Sequence, residues 1–264
     1  MAGQFYPADP DALRAEVVSA LRFAAPETPA PAAAVVVPHA GYVYSGRVAG
    51  ATYASAALPA TLVILCPNHT GRGRRIAVMN RGVWRTPLGL AKIDEGLADL
   101  ILTTCATAEP DETAHRREHS LEVQLPFLQV IMDGTFSFVP ICIGASDLGV
   151  LLELGTGLAR AISDWPQAAA ILISSDMSHY VSAQEARSKD AMAIERIIHV
   201  DPEALHQVVR EEQISMCGVA PAVAGLAAAR LGGATEGRLV AYANSGDVSG
   251  DNESVVGYAG LAIA

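Results

Sequence analysis

The chain is poor in cysteine, in cationic side chains and in long apolar runs, and each shortage excludes something. Its four cysteines, Cys66, Cys105, Cys142 and Cys217, stand far apart with no CxxC pair, so no disulfide framework is expected. Three of them sit in or beside apolar runs and read as core thiols; Cys217, in Ile214-Ser215-Met216-Cys217-Gly218, does not. Lys+Arg number 18 against 28 Asp+Glu, a formal charge of -10 that repels phosphate backbones and anionic lipid, so neither nucleic acid nor a membrane surface is expected as a partner. No apolar stretch approaches the roughly 18 residues of a membrane-spanning helix. The opening residues carry no secretory pattern, and the expected location is the cytoplasm.

What is present is apolar mass. A chain of 264 residues, 51% hydrophobic, can bury one large core, and a single domain over 1–264 is expected. Short branched runs predict strands near Ala34–Val37, Thr61–Cys66, Ile76–Met79, Phe136–Ile143, Ala169–Ser174, Arg238–Ala243 and Val255–Ile263. Helical periods predict helices over Pro10–Phe23, Ser45–Ala57, Asp94–Thr104, Ser120–Met132, Asp147–Asp164, Ala183–His199, Pro202–Glu211 and Ala220–Leu231. A Pro/Ala-rich linker runs from Ala24 to Ala34, and the last two strands are joined by the polar loop from Asn244 to Glu253. The alternation is a βα pattern, the signature of an α/β fold.

Several predicted strands end in chemistry. Val35-Val36-Val37-Pro38 leads into His39, Leu65-Cys66-Pro67-Asn68 into His69, and Ile173-Ser174-Ser175 into Asp176 and His179, whereas Phe138-Val139-Pro140-Ile141-Cys142-Ile143 ends only in Gly144. Ligands of open α/β sheets collect where such strands end, so distant histidines are expected to meet. Two neutral imidazoles at neighbouring strand ends supply half of a tetrahedral metal site or two corners of a facial triad, with the third ligand left open. A D-x-x-H step across a tight turn can present Asp176 and His179 to one cavity, one to ligate and one to handle protons; as an alternative, Asp176 caps a helix. Cys217 precedes an Ala-rich helix, where the helix dipole and a metal would favour its thiolate; the alternative is a buried thiol.

His115-Arg116-Arg117-Glu118-His119 spells the H-x-x-E-H of inverted zinc peptidases. That chemistry needs the motif inside a helix, and the helical period here starts only after Ser120. The segment is read instead as a loop entering a helix with Ser120 as N-cap, placing Glu118 and His119 beside the cleft to orient a ligand or substrate.

Together Pro38-His39-Ala40-Gly41-Tyr42, Cys66-Pro67-Asn68-His69, Glu118-His119-Ser120-Leu121-Glu122, Ser174-Ser175-Asp176-Met177-Ser178-His179-Tyr180 and Met216-Cys217-Gly218 resemble the Memo family, as does the opening Ala2-Gly3-Gln4-Phe5-Tyr6-Pro7. In prokaryotes that family is known as protein B of the AmmeMemoRadiSam system, which implies AMMECR-type and radical-SAM partner proteins. The resemblance extends to the LigB-type class III extradiol dioxygenases and implies a three-layer α/β/α sandwich with a central mixed sheet. By the family pattern His39, His69 and Cys217 would hold a single transition metal, with Asp176 and His179 beside it and His179 in the place of the acid/base histidine. The dioxygenases use two histidines and a carboxylate. A cysteine as third ligand favours softer ions, so Fe(II) is favoured with Cu or Zn as alternatives, and ring cleavage of a catechol is not implied. Tyr44 and Tyr6 are expected to line the entrance. The implied activity is that of a metal-dependent oxidoreductase acting on a small-molecule or peptide ligand; a non-catalytic partner-binding module reusing the cleft is the alternative.

Overall fold

A computed structural model describes residues 1–23 and 28–264. In chain order it runs α1 (Pro10–Leu21), β1 (Ala30–Pro31), β2 (Ala34–Val37), α2 (Tyr42–Ser55), β3 (Ala56–Ala57), β4 (Thr61–Pro67), β5 (Ile76–Val78), β6 (Val83–Thr86), β7 (Gly89–Ile93), α3 (Glu95–Thr104) and β8 (Glu109–Pro110). Two 3-10 turns lead on to α4 (Leu125–Ile131), β9 (Ser137–Ile143), α5 (Leu148–Asp164), β10 (Ala169–Ser174), β11 (His179–Val181), α6 (Ala183–Ile198), α7 (Pro202–Glu211), α8 (Val219–Leu231), β12 (Gly237–Asn244), α9 (Gly246–Ser249) and β13 (Val255–Ile263).

The centre of the sheet is parallel, in the order β2-β10-β4-β9. These strands read as unbroken apolar runs because helices cover both faces. Val36, Val63, Leu65, Val139, Ile141 and Ile173 face the core shared with α3, α5, α7 and α8, while the alternate residues Val35, Val37, Leu62, Ile64, Phe138 and Leu172 face the core with α1, α2 and α4. The result is three layers. β13 runs antiparallel beside β2 and carries β12 and the short β11; β5 runs antiparallel beside β9, so the sheet is mixed. Among the described residues no helix is long and apolar enough to cross a membrane.

Cys66 and Cys142 lie in register on adjacent strands and, with Cys105, are buried free thiols. Layer packing is tight where α1 crosses α2: a Cβ on Gly50 would stand 2.3 Å from the carbonyl carbon of Ala20. Backbone cannot rotate aside, so Gly50→Ala is expected to cost about 1–3 kcal/mol of overpacking, offset by up to about 1 kcal/mol of helix propensity. A urea midpoint at or above wild type would contradict this packing.

Several local expectations are corrected. The helix predicted over Ser120–Met132 is a 3-10 turn at Glu122–Gln124 followed by the short α4, and Ser120 caps nothing: its N–H and Oγ both donate to Glu118. α2 begins at Tyr42, three residues before the expected Ser45. The β6–β7 hairpin was not predicted, its polar edge residues masking the alternation. Of the predicted linker, 24–27 lie outside the described residues, and Ala30–Pro31 pairs with β3. The loop before β13 contains α9, and its Asn252 carbonyl accepts from Ala183 N–H, which seats it beside β11.

Candidate metal centre

Because β2, β10 and β4 are parallel neighbours, the residues just beyond their last positions converge: His39, Asp176 and His69. Cys217 joins them from the turn entering α8. One ligand atom from each of His39, His69 and Cys217 lies within 4.8 Å of the others, a group that could hold a metal ion. His39 Nε2 stands 3.2 Å from Cys217 Sγ and 3.9 Å from Asp176 Oδ2. β9 contributes only Gly144, whose bare Cα packs against Asn68, next to His69.

The protons of both imidazoles are fixed from behind. Ser174 Oγ donates to the Ser120 carbonyl at 2.6 Å and accepts from Gln124 Nε2 at 2.9 Å. Its single proton is therefore spent, and the 2.9 Å contact to His39 Nδ1 is made by an N–H of the ring. Nε2 of buried His39 is left as a bare lone pair facing Cys217. His69 is held likewise: its backbone N–H donates to Glu118 Oε2 at 2.7 Å and its Nδ1–H to Oε1 at 2.8 Å. Glu118 also accepts the N–H and Oγ–H of Ser120; burial would raise its carboxyl, but its bonds to His69 and Ser120 outweigh that and hold it down to about 2. A carboxylate behind an imidazole fixes its tautomer and strengthens the opposite nitrogen as a donor.

Asp176 Oδ1 accepts the backbone N–H groups of His39, at 2.7 Å, and Ala40, at 3.3 Å, so it fastens the turn ahead of α2 while Oδ2 faces His39. Burial pushes its carboxyl up, against the pull of those two N–H groups and of His179. Burial, then the neighbouring Asp176, pushes the Cys217 thiol up as well. Two acidic groups that resist ionisation for want of positive charge, facing two fixed nitrogen lone pairs, form a donor set that fits a cation.

The remaining candidates stand around this group. His119 stacks on His69 with centroids 5.0 Å apart and on Phe5 at 4.3 Å, and meets His39 edge-on. Its Nδ1 is 3.5 Å from Glu118 Oε1, so a second group, His69, Glu118 and His119, shares His69. His179 is anchored by its backbone N–H to Ser215 Oγ and by Nδ1 to the Met177 and Ser215 carbonyls, so Nε2 is the ring nitrogen not engaged by these contacts. Tyr180 beside it is exposed and holds a left-handed backbone (φ 60). Tyr44 is exposed at the start of α2. Tyr6 is 4% exposed and donates to Glu122 Oε1 at 2.6 Å, so it lies beneath the rim and Phe5 occupies the position against His119. Ser174, Gln124 and Phe5 were not singled out from the sequence; the available signals were a polar residue closing the apolar Ile171–Ser174 run and the alternation of Glu122 and Gln124 with apolar residues over Leu121–Leu125, and Phe5 had none.

His115 takes no part. It is buried in a 3-10 turn, edge-on to Trp84 with its Nε2–H on the Ala77 carbonyl at 3.1 Å, and the H-x-x-E-H spelling never forms a helix face.

A family profile described as Memo-like protein matches residues 1–262 of the chain. The chain belongs to the Memo family. A MEMO1 family protein of Methanopyrus kandleri is 43% identical over 99% of this chain and 96% of its own length, and one of Aquifex aeolicus is 42% identical over the same shares. Among solved structures, an uncharacterized protein of Escherichia coli K12 superposes with a TM-score of 0.57 at 15% identity, covering 87% of this chain and 98% of that one, a likeness of fold alone.

Proposed function

We propose that this Memo-family chain is a mononuclear transition-metal protein of the oxidoreductase class, with His39, His69 and Cys217 holding the ion. The observation that carries the reading is the pair of fixed tautomers: Ser174 and Glu118 each occupy one ring nitrogen, so both histidines keep a lone pair for the side facing Cys217. Mixed nitrogen and thiolate donors suit Fe(II), Cu or Zn, with Fe(II) favoured by the resemblance to non-haem dioxygenases. Bound there, such an ion would supply a redox couple and a Lewis-acid centre.

The chain's own residues do the rest. His179, with Nδ1 anchored on the Ser215 carbonyl, offers Nε2 as proton acceptor at the rim. Asp176, buried beside His39, balances the positive charge and holds the turn that carries His39. The stacked pair Phe5 and His119 and the exposed Tyr44 offer flat surfaces to a small molecule or an extended peptide. AMMECR-type and radical-SAM proteins are the proposed partners, on the strength of the family alone.

The test is elemental analysis by mass spectrometry of protein purified without oxygen or chelator. About one transition ion per chain is expected, unchanged in His115→Ala, because that side chain lies outside the cluster. A folded, metal-free wild type would overturn the reading in favour of a cleft that only binds a partner.

A further inference from the structure

The buried face of α6 is apolar except at one position. Ala186, Asp190, Ala193, Ile194 and Ile197 point inward at helical spacing, and Asp190 is 0% exposed among them. Taking a carboxylate out of water is unfavourable unless partners compensate it. Its neighbours on the helix do not: Lys189 pairs with Glu185 at 2.9 Å, and the Arg187 guanidinium lies over the Tyr242 ring, 5.5 Å from its centroid. The two oxygens take neutral donors, Oδ1 the Ser178 N–H at 2.9 Å and Oδ2 the Tyr242 hydroxyl at 2.8 Å. Burial pushes the carboxyl up, against the pull of those two partners.

The bond to Ser178 reaches the metal centre from behind. The turn between β10 and β11 carries Asp176 and His179, and its amides run to different parts of the fold. Ser175 N–H donates to the Val37 carbonyl at 3.0 Å, Asp176 N–H to Cys217 Sγ at 3.3 Å, Met177 N–H to the Gly257 carbonyl at 2.8 Å and His179 N–H to Ser215 Oγ at 2.7 Å. Of this series only the Ser178 N–H is received by a carboxylate, and such charge-assisted bonds are roughly twice as strong as neutral ones. The carboxylate fits because residue 257 is glycine: its N–H donates to the Ser178 carbonyl at 2.8 Å, and a Cβ there would stand 2.0 Å from Asp190 Oδ2. The His179 ring completes the turn, with Nδ1 2.8 Å from the Met177 carbonyl and 2.9 Å from that of Ser215. Carbonyls only accept, so Nδ1 carries a proton. A turn released at Ser178 would take the Met177 carbonyl with it.

We propose that Asp190 is a positioning residue of the site: from inside α6 it holds, through the Ser178 N–H, the turn that keeps the His179 ring in one orientation and one tautomer. The Tyr242 hydroxyl seats the carboxylate, and the charge makes the Ser178 bond the firm point of the turn. The inference rests on the reading that His179 handles protons at the metal centre, and it supplies the fixed ring that such a transfer needs.

Long-range proton–nitrogen correlation spectra of the full chain with zinc added, an ion that leaves ring signals sharp, test it, with His179 assigned by its loss in His179→Gln. At about pH 8.5, where an ordinary histidine is neutral, the wild-type ring is expected to carry its proton on Nδ1 alone. Asp190→Ala should shift both ring nitrogens towards the mean of the two tautomers. Asp190→Asn, whose side-chain carbonyl still accepts from Ser178, should keep the wild-type pattern, as should Tyr242→Phe, which leaves that bond in place. A folded Asp190→Ala with the wild-type pattern, whatever its melting temperature, would overturn the proposal and leave Asp190 a structural residue only. Loss of the pattern in Asp190→Asn would overturn the Ser178 bond as the means. If Asp190→Ala does not fold, the scalar coupling across the hydrogen bond from the Ser178 nitrogen to the Asp190 carboxyl carbon decides in the wild type: its presence supports the proposal and its absence overturns it. Zinc content of the same samples keeps the two readings apart. A chain without zinc that shows the Ala shift loses the metal reading and keeps the role of Asp190, and zinc bound with no Ala shift does the reverse.

Discussion

Cys217→Ser is expected to reduce bound transition metal from about one ion per chain to under about a tenth of that, with the fold retained. The sulfur sits 3.2 Å from His39 Nε2 and accepts the Asp176 N–H at 3.3 Å, so its position is set by backbone rather than by the ion. Serine fits the same space but brings a hydroxyl that does not ionise near neutrality and a harder oxygen, and the two imidazoles left behind are a weak bidentate set. Because the change removes one sulfur from a half-buried turn and leaves the strands untouched, the unfolding free energy of the metal-free protein should change by no more than about 1 kcal/mol. Elemental analysis beside circular dichroism reads both quantities. A variant that keeps its full complement of metal would remove Cys217 from the ligand set.

The second large effect is expected at a residue that need not touch the ion. Glu118→Gln keeps the shape but replaces one carboxylate oxygen by an N–H2 group facing donors from His69 and Ser120, so at least one of those bonds is lost and the His69 ring is freed to turn. Losses of this kind weaken metal affinity by about 10–100-fold, measurable by competition with a chromophoric chelator. The same substitution should change acid stability. With the folded carboxyl at about 2 and an unfolded value near 4.5, Glu118 contributes stability that is fully present above pH 4.5 and is lost as pH falls towards 2. Its size is on the order of 3 kcal/mol at most. The melting temperature of chelated wild-type protein should therefore drop more steeply between pH 4.5 and 3 than that of the variant; equal slopes would place this acid limb elsewhere.

Most of the frame was legible because burial on both faces leaves an unmistakable trace. Strands such as Leu62–Cys66 and Ala170–Ile173 have no polar residue to confuse their length, and the sheet opens just past the last residue of each. The convergence of His39, His69 and Asp176 stems from parallel neighbours alone; Cys217 stood out by its place before an Ala-rich helix, and its role as third ligand came from the family pattern. Less legible were elements whose identity depends on what packs on them. β6 and β7 expose Val83 and Leu90 and read as loop, and the stretch after Ser120 has helical spacing but gives its first turn to holding Glu118. The supporting Ser174 and Gln124 were hidden for the same reason: a polar side chain in an apolar run has meaning only through the partner brought to it from 50 residues away, and periodicity does not name that partner.

The cluster also has a topological cost. The contact between His39 and Cys217 closes a separation of 178 residues, and that between His39 and Asp176 one of 137, so neither can form until the crossovers between them are wound. Closures over such separations carry a high loop-closure cost and favour slow folding. An ion bound by all three ligands would act as a clasp on the finished fold, adding protection that grows with free metal concentration. Heat tolerance in this chain would then report metal supply as much as sequence.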